Sequence, residues 1–433
     1  MTKKLIAAML VVLFSLFITS CSSQQSQNMQ GKTVVVFWHA MGGPLGKTLK
    51  ELVKRFNDTH PKIYVKLENV GNYSVLQQKI VASVQAGNPP DIAQAYESWT
   101  VNMAEGGRIV PLQQFIDEEK DFNLNDIFDV YIEDVTYKGK IQALPFNKSL
   151  PVLYWNKKLF KEAGLDPNKP PTTWEEFVEY AKKLTIDKDG DGKPDIYGTA
   201  FPPSSWYYAA LVYQLGGKLF DTKTKQPMFN KEAGVKALQF LVDLIYKYKV
   251  AYLTTGFNHQ TDFEAGKVAM ILGSSVSKTF MEKKLAFPFG IAPIPHFKNG
   301  QKATVLSGTN LVIFNKGDNK KARMAWEFIK WLTSTNNTAY WAVKTFYLPV
   351  RKSALESDIM KALFKTHPGF KEVIKSLEYA KYEPFDPVWM TGRIFLGEAL
   401  ANALNTGKDV RKWLEEAAKK VAKEAERLSK TQH

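Results

Sequence analysis

The chain has 433 residues and a formal net charge of +15, from 58 Lys and Arg against 43 Asp and Glu. Its 45% hydrophobic content is ordinary for a globular protein, and its length suits two domains of common size. One cysteine excludes a disulfide within the chain, and basic residues interleaved with Glu, as in "RKWLEEAAKKVAKEAERLSK", argue against the basic stripe of a nucleic-acid-binding surface. The excess charge favours solubility and steers anions, whether a ligand or a membrane surface.

Lys3 and Lys4 open the chain, and "LIAAMLVVLFSLFI" (Leu5 to Ile18) is an apolar run broken only by Ser15. It is too short to span a bilayer as a stable helix but suits an export signal. The run ends in Ile18-Thr19-Ser20-Cys21, which resembles the lipobox of bacterial lipoproteins. That resemblance implies cleavage before Cys21 and a lipid on the cysteine; the alternative is an ordinary signal with an incidental cysteine. "SSQQSQNMQGK" has almost no apolar content, so residues 21–31 are expected to form a flexible tether.

Val34 to Trp38 then reads as a buried strand, followed by "HAMGGPLGKTLKEL". Strand, glycine turn and Gly-Lys-Thr are the setting of a phosphate-binding loop, but the pattern needs a glycine five residues before Gly46 and has Met41. An exported chain, with ATP scarce around it, is also a poor NTPase. The next helix places Leu45, Leu49, Leu52, Val53 and Phe56 on one face, and "NDTHP" stops it. "IYVKLENV" alternates as a strand. "YSVLQQKIVASVQAG" reads as a helix with Val75, Leu76, Ile80, Val81 and Val84 on one face, before a strand at Asp91 to Tyr96. Strands alternating with helices predict an α/β structure with a largely parallel sheet.

The pattern restarts near Pro145 with "LPVLYWNKKLF" and "PPTTWEEFVEYAKKL", where Thr173 and Glu176 form a capping box. Further helices are expected over Lys231 to Tyr248, Asn319 to Thr333, and from about Asp409. Between them, "DKDGDGKPD" spaces Asp187, Asp189, Asp191 and Asp195 as in an oxygen-rich Ca²⁺ loop, with Gly192 at the turn. The twelfth position holds Gly198 rather than Glu, so the choice lies between a structural Ca²⁺ and a polar turn. No H-E-x-x-H or G-x-S-x-G occurs, the six histidines are scattered, and neither Ser149 nor Ser274 has a visible base, so the chain does not read as an enzyme.

The phrases "FWHAMGGPLGKTLKELVKRFN", "GNY", "AGNPPDIAQAYE", "PFNKSLPVLYWNKKLFKEAGLDPNKPPTTWEEF", "FEAGKVAMILGSS" and "YLPVR" stand in one order. That order resembles the family 1 extracellular solute-binding proteins, the ligand-capturing subunits of ABC importers. Within the family, "FWHAM", "GNY", "YE", "PFN-x-S" and "YLP" resemble the glycerol-3-phosphate binders rather than the maltose or other sugar binders. The resemblance implies an α/β, two-lobed periplasmic-binding-protein fold of type II, with a ligand cleft and discontinuous lobes. Lobe 1 would take residues 32–145 and 305–335, and lobe 2 residues 146–304 and 336–430. It also implies that "GGPLGKT" is a turn into the first helix and holds no nucleotide.

Residue by residue, Tyr73 and Glu97 match positions that contact glycerol hydroxyls. Ser149, Ser274, Gly308, Tyr347 and Arg393 match a phosphate-binding set, and a guanidinium, two hydroxyls, a phenol and a backbone N–H suit a tetrahedral anion. Without the match, Glu97 reads as a solvated loop acid and Arg393 as a surface arginine on a helix. Trp174 matches an aromatic lining the cleft, with a core role as its alternative, and Trp206 is a weaker aromatic candidate. Trp38 reads as core, and His39 as at most a neighbour of the ligand's contacts. The implied function is capture of glycerol-3-phosphate or a glycerophosphodiester by hinge closure, in a lipid-anchored extracytoplasmic monomer that delivers it to an ABC permease. Two alternatives stand beside it: a neutral oligosaccharide on the same fold, and an exported phosphodiesterase.

Overall fold

The computed structural model describes residues 31–431. The expected signal segment, the expected lipidation site Cys21 and all but the last residue of the expected tether lie outside them. The described chain forms two compact units, 31–93 with 313–332 and 94–312 with 333–431.

In the first unit, β1 (Thr33–His39) is followed by α1 (Gly43–Thr59), β2 (Ile63–Asn69), α2 (Tyr73–Gln85) and the start of β3 (Ile92–Ala95). β1 pairs in parallel with β2, Val35 opposite Val65, and with β3, Phe37 opposite Ile92. Parallel neighbours need a crossover, which the intervening helices supply. α1 buries the five apolar residues expected of it, and Phe328 of the helix Asn319–Leu332 packs edge-on to Phe56 at 5.0 Å. A Cβ at Gly46 would lie 2.6 Å from the Met41 carbonyl oxygen, so the glycine serves the tight entry into α1 and no nucleotide need be invoked. α2 departs from expectation: only Leu76 and Ile80 are buried, and Val75 and Val81 are 45% and 44% exposed. Those two flank the Leu76–Ile80 stripe, which is too narrow to carry them inward.

The second unit opens with α3 (Glu97–Glu105) and α4 (Asp129–Val135). Its sheet contains β4 (Pro151–Asn156), β5 (Tyr197–Phe201), β6 (Ala251–Leu253), β7 (Val268–Ser274) and β8 (Phe289–Pro293), in the order β6-β5-β7-β4-β8. β4 runs antiparallel to both neighbours, so this sheet is mixed rather than largely parallel. It starts at the end where β7 finishes, Pro151 opposite Ser274. All six β4 residues are buried, as befits a strand covered on both faces.

α5 (Trp174–Leu184) begins at the expected capping box: Glu176 N donates to Thr173 Oγ1 at 3.2 Å, and Thr173 N to Glu176 Oε2 at 3.3 Å. With α6 (Ser205–Gln214), α7 (Trp389–Thr406) and α8 (Val410–Thr431), it covers a core that includes Leu153, Phe177, Tyr208, Leu400 and Leu414.

Residues 94–145, expected in lobe 1, belong to the larger compact unit. Buried side-chain bonds tie them there: Gln94 donates to Asn147 and Thr309, and Lys148 donates to Asp134.

Candidate ligand site

The segment Asn147 to Leu150, between the short strand Leu144–Pro145 and β4, gathers four of the eight expected ligand residues, Ser149, Ser274, Gly308 and Tyr347. Ser149 exchanges two backbone hydrogen bonds of 2.9 Å with Ser307, which places Gly308 beside it. The Lys148 carbonyl accepts from Leu348 N at 2.7 Å and so fixes Tyr347. The Leu150 carbonyl accepts from Ser275 N at 3.1 Å, which brings in Ser274. Asn147, fully buried, accepts from Gln94 Nε2 at 2.9 Å and from Thr309 Oγ1 at 2.5 Å. Gly308 has φ +104°, and a Cβ there would lie 1.9 Å from the Asn147 carbonyl oxygen, so only glycine fits.

Glu97 sits in the first turn of α3, where the helix dipole favours an anion, yet it is only 6% exposed. Burial, then the nearby Asp134 carboxylate, push its carboxyl well above the usual carboxylate range, although Lys148 opposes them. Tyr347 is 7% exposed and stacks on Trp341, with ring centroids 5.6 Å apart, and Trp341 stacks on Phe146 at 5.0 Å. Ser274 is half-buried at the end of β7, with its hydroxyl accepting from Val276 N at 3.3 Å.

Arg393, on α7, is neither a freely solvated surface arginine nor fully buried: its side chain is 38% exposed. Its Nη2 lies 3.4 Å from Glu383 Oε1, its Nε donates to Ser205 Oγ at 3.3 Å, and its guanidinium carbon stands 5.9 Å from the Tyr96 ring centre. Glu383 first, then Tyr96 and Glu97, favour its charged form. Glu383 is held in turn by the Trp389 indole N–H at 2.9 Å. A guanidinium with exposed surface, next to hydroxyls and phenols, can bind an oxyanion.

The tryptophans exchange places. Trp174 is 2% exposed, donates its indole N–H to Gln214 Oε1 at 2.7 Å and packs on Phe177, so it belongs to the core and presents no face to a ligand. Trp206, next to Ser205 on α6, is half-buried, with its N–H on the Val305 carbonyl at 3.0 Å. In the first unit, Tyr73 is the half-buried first residue of α2, whose start Asn72 caps through Val75 N. Trp38 is buried and donates to Glu68 at 2.8 Å. His39 is 1% exposed, its Nδ1 accepts from Met41 N, and burial first, then Lys50, lowers its pKa to about 4.

Asp134, Lys148, Glu383, Tyr96 and Ser205 escaped the sequence reading. The one legible signal was Lys148, a charge set between Phe146 and the apolar β4. In the acidic loop, Asp187, Asp189 and Asp195 bring one carboxylate oxygen each within 4.8 Å of one another, and Asp191 stands outside the group. Both Asp187 oxygens already accept backbone N–H groups, from Gly190 at 2.8 Å and Gly192 at 2.9 Å.

This sheet carries a polar cluster on loops around one strand end, an arrangement that can hold a small polar ligand. The family model of bacterial extracellular solute-binding proteins matches residues 51–371, and the chain belongs to that family. It is thus a solute-binding protein of the ABC-importer kind. Among its relatives, the sn-glycerol-3-phosphate-binding periplasmic protein UgpB of Pectobacterium atrosepticum is 30% identical over 360 residues, 79% of each chain. UgpB of Escherichia coli K12 is 29% identical over 358 residues, 79% of this chain and 80% of the relative. Among solved structures, UgpB from Mycobacterium tuberculosis in complex with glycerophosphocholine superposes with a TM-score of 0.82 at 24% identity, covering 92% of this chain and 100% of that one. The cyclic alpha-maltosyl-1,6-maltose binding protein of Arthrobacter globiformis gives 0.78 at 24% identity, covering 91% and 99%. The fold is therefore the two-lobed α/β fold of type II solute-binding proteins.

Proposed function

We propose that the protein captures glycerol-3-phosphate or a glycerophosphodiester and delivers it to an ABC permease, as a monomer tethered outside the cytoplasm by lipid on Cys21. The observation that carries this reading is the cluster around Asn147 to Leu150. One backbone segment fixes Ser149, Ser274, Gly308 and Tyr347, while Arg393 lies in the field of Glu97 and Tyr96. In the proposal the phosphate takes Arg393, the two hydroxyls, the Tyr347 phenol and Gly308 N–H, and the glycerol hydroxyls take Glu97 and Tyr73. Because Glu383 already stands beside Arg393, a monoanionic diester asks less of the remaining charge than a dianionic monoester, so both belong in the test. Kinship with proteins named for glycerol-3-phosphate supports the same ligand class. Ligand contact with both lobes would favour a closed form, which then docks on the permease.

A neutral sugar is the second reading, favoured by the half-buried Trp206 beside Arg393's partner Ser205 and by the sugar-binding structure that shares the fold. Calorimetric titration with glycerol-3-phosphate, glycerophosphocholine, glycerol and a maltooligosaccharide separates the two. Release of choline from glycerophosphocholine would instead reveal a hydrolase. The calcium expectation carries over for Asp187, Asp189 and Asp195 alone, against the polar turn that their backbone hydrogen bonds already make.

A further inference from the structure

Beneath the candidate site lies a cluster of three ionisable side chains with almost no access to water. Lys148 and Asp134 have fully buried side chains, and that of Glu97 is 8% exposed. Lys148 Nζ lies 2.5 Å from Asp134 Oδ2 and 3.4 Å from the Gly308 carbonyl, but 3.8 Å from Glu97 Oε1. Asp134 Oδ2 also accepts from Asn310 Nδ2 at 3.1 Å. Asp134 therefore has two donors on one oxygen, and Glu97 has a cation beyond hydrogen-bond reach.

One ammonium against two carboxylates leaves a net negative charge in a dry place, which is costly unless a proton is taken up. The geometry says which carboxyl takes it. Asp134 Oδ1 is buried and finds no donor among the described residues if Glu97 is ionised. A protonated Glu97 can supply that donor, and a hydrogen bond between the two carboxyls then closes the cluster.

We propose that Asp134, paired with Lys148, is a positioning residue that holds Glu97 as a neutral acid in the ligand-free protein, against the opposing pull of the Lys148 ammonium. Ligand hydroxyls then meet a carboxyl that accepts from them, its one proton being held by Asp134, and an anionic ligand meets no net negative charge. This rests on the reading above in placing the ligand at Glu97. The charged and titratable groups that face Glu97 agree with it. From α4 come Asp134 and, behind it, the buried Tyr131, and Lys148 comes from the segment before β4. Glu383 adds a second negative neighbour from the segment before α7, Arg393 a second cation from α7 itself, and Tyr96 and Tyr213 are phenols that remain neutral. The burial-driven upward shift of Glu97 has the same direction.

The test follows the Glu97 carboxyl by ¹³C NMR in ligand-free, glutamate-labelled protein, its resonance identified by loss in Glu97→Gln. The wild-type midpoint is expected above the usual carboxylate range. Asp134→Asn removes an anion and leaves Lys148 to Glu97, so the midpoint should fall. Lys148→Met removes the cation, so it should rise, while Lys148→Arg should leave it close to wild type. A merely structural role would destabilise these variants without shifts of opposite sign. A wild-type midpoint in the ordinary range, or shifts of one sign, would overturn the proposal, and the wild-type titration needs no variant to fold.

Glycerophosphocholine, whose phosphodiester does not titrate in this range, then probes the ligand side. Its affinity should fall about tenfold per pH unit above the Glu97 midpoint and stay flat in Glu97→Gln. Binding that is independent of pH in the wild type would contradict the proposed role toward ligand. Complete failure of all phosphate ligands to bind would sink the ligand assignment instead, with the carboxyl titration still deciding the cluster.

Discussion

Arg393 and Glu383 form an ion pair, which a phosphate ligand bound as proposed would have to enter. With its side chain 38% exposed, the arginine keeps donor capacity beyond Glu383 and Ser205. Arg393→Ala is expected to weaken phosphate-ligand binding by about 2 kcal/mol, roughly thirtyfold, the scale of a hydrogen bond to a charged group. Unchanged affinity by calorimetry would remove Arg393 from the site. Gly308→Ala should cost stability by about 3 kcal/mol, since a left-handed backbone and a Cβ placed 1.9 Å from a carbonyl oxygen both oppose it. A urea midpoint equal to wild type would contradict that close approach. His39 adds a pH term. Its folded pKa, about 4, lies below the usual 6.5, so the unfolded chain binds more protons between those values. The stability it allows is therefore full above pH 6.5 and lost as pH falls toward 4, by about 3 kcal/mol in all. His39→Gln should flatten the urea midpoint between pH 4 and 6.5; an equal slope in both proteins would locate the effect elsewhere.

At the scale of elements, the segment Asn147 to Leu150 explains why scattered phrases converge. Its four residues bond to residues 94, 275, 307, 309 and 348, which no spacing rule connects. The sequence showed α1 and α5 well, because a helical stripe and a capping box are local signals. It misjudged α2, where Val75 and Val81 looked like core, and it could not show that β4 enters its sheet backwards, since strand direction is set by distant pairing. Trp174 shows a related limit: a helix-start indole serves a core or a cleft equally well until its surroundings are known, and here it is buried with its N–H on Gln214. Glu97 was named from a resemblance, whereas Asp134 and Lys148, which decide its charge, lie in no motif. The loop 187–195 is open to a direct check. If Asp187, Asp189 and Asp195 hold Ca²⁺ at a Kd a hundredfold below the added concentration, melting in CaCl₂ over EDTA should reflect about 2.7 kcal/mol of added stability. An identical Tm in both would leave a polar turn.

For the molecule as a whole, family membership sets the role, and the site's own chemistry must set the ligand. Neutral-sugar and phosphate binders share this fold, so nothing in the sheets decides between them. No helix among the described residues is long and apolar enough to cross a membrane, and the proposed attachment rests on Cys21 alone. If capture proceeds by closure, the radius of gyration from small-angle scattering should fall on saturation with ligand; an unchanged value would rule closure out. The most direct measurement is calorimetric titration of the unlipidated chain, starting at Gly31 and refolded to strip bound ligand, with the four ligands named above. Saturable heat with glycerol-3-phosphate or glycerophosphocholine, weakened roughly thirtyfold in Arg393→Ala, is the predicted result. Binding of the maltooligosaccharide alone would contradict the phosphate site and leave the fold and family intact.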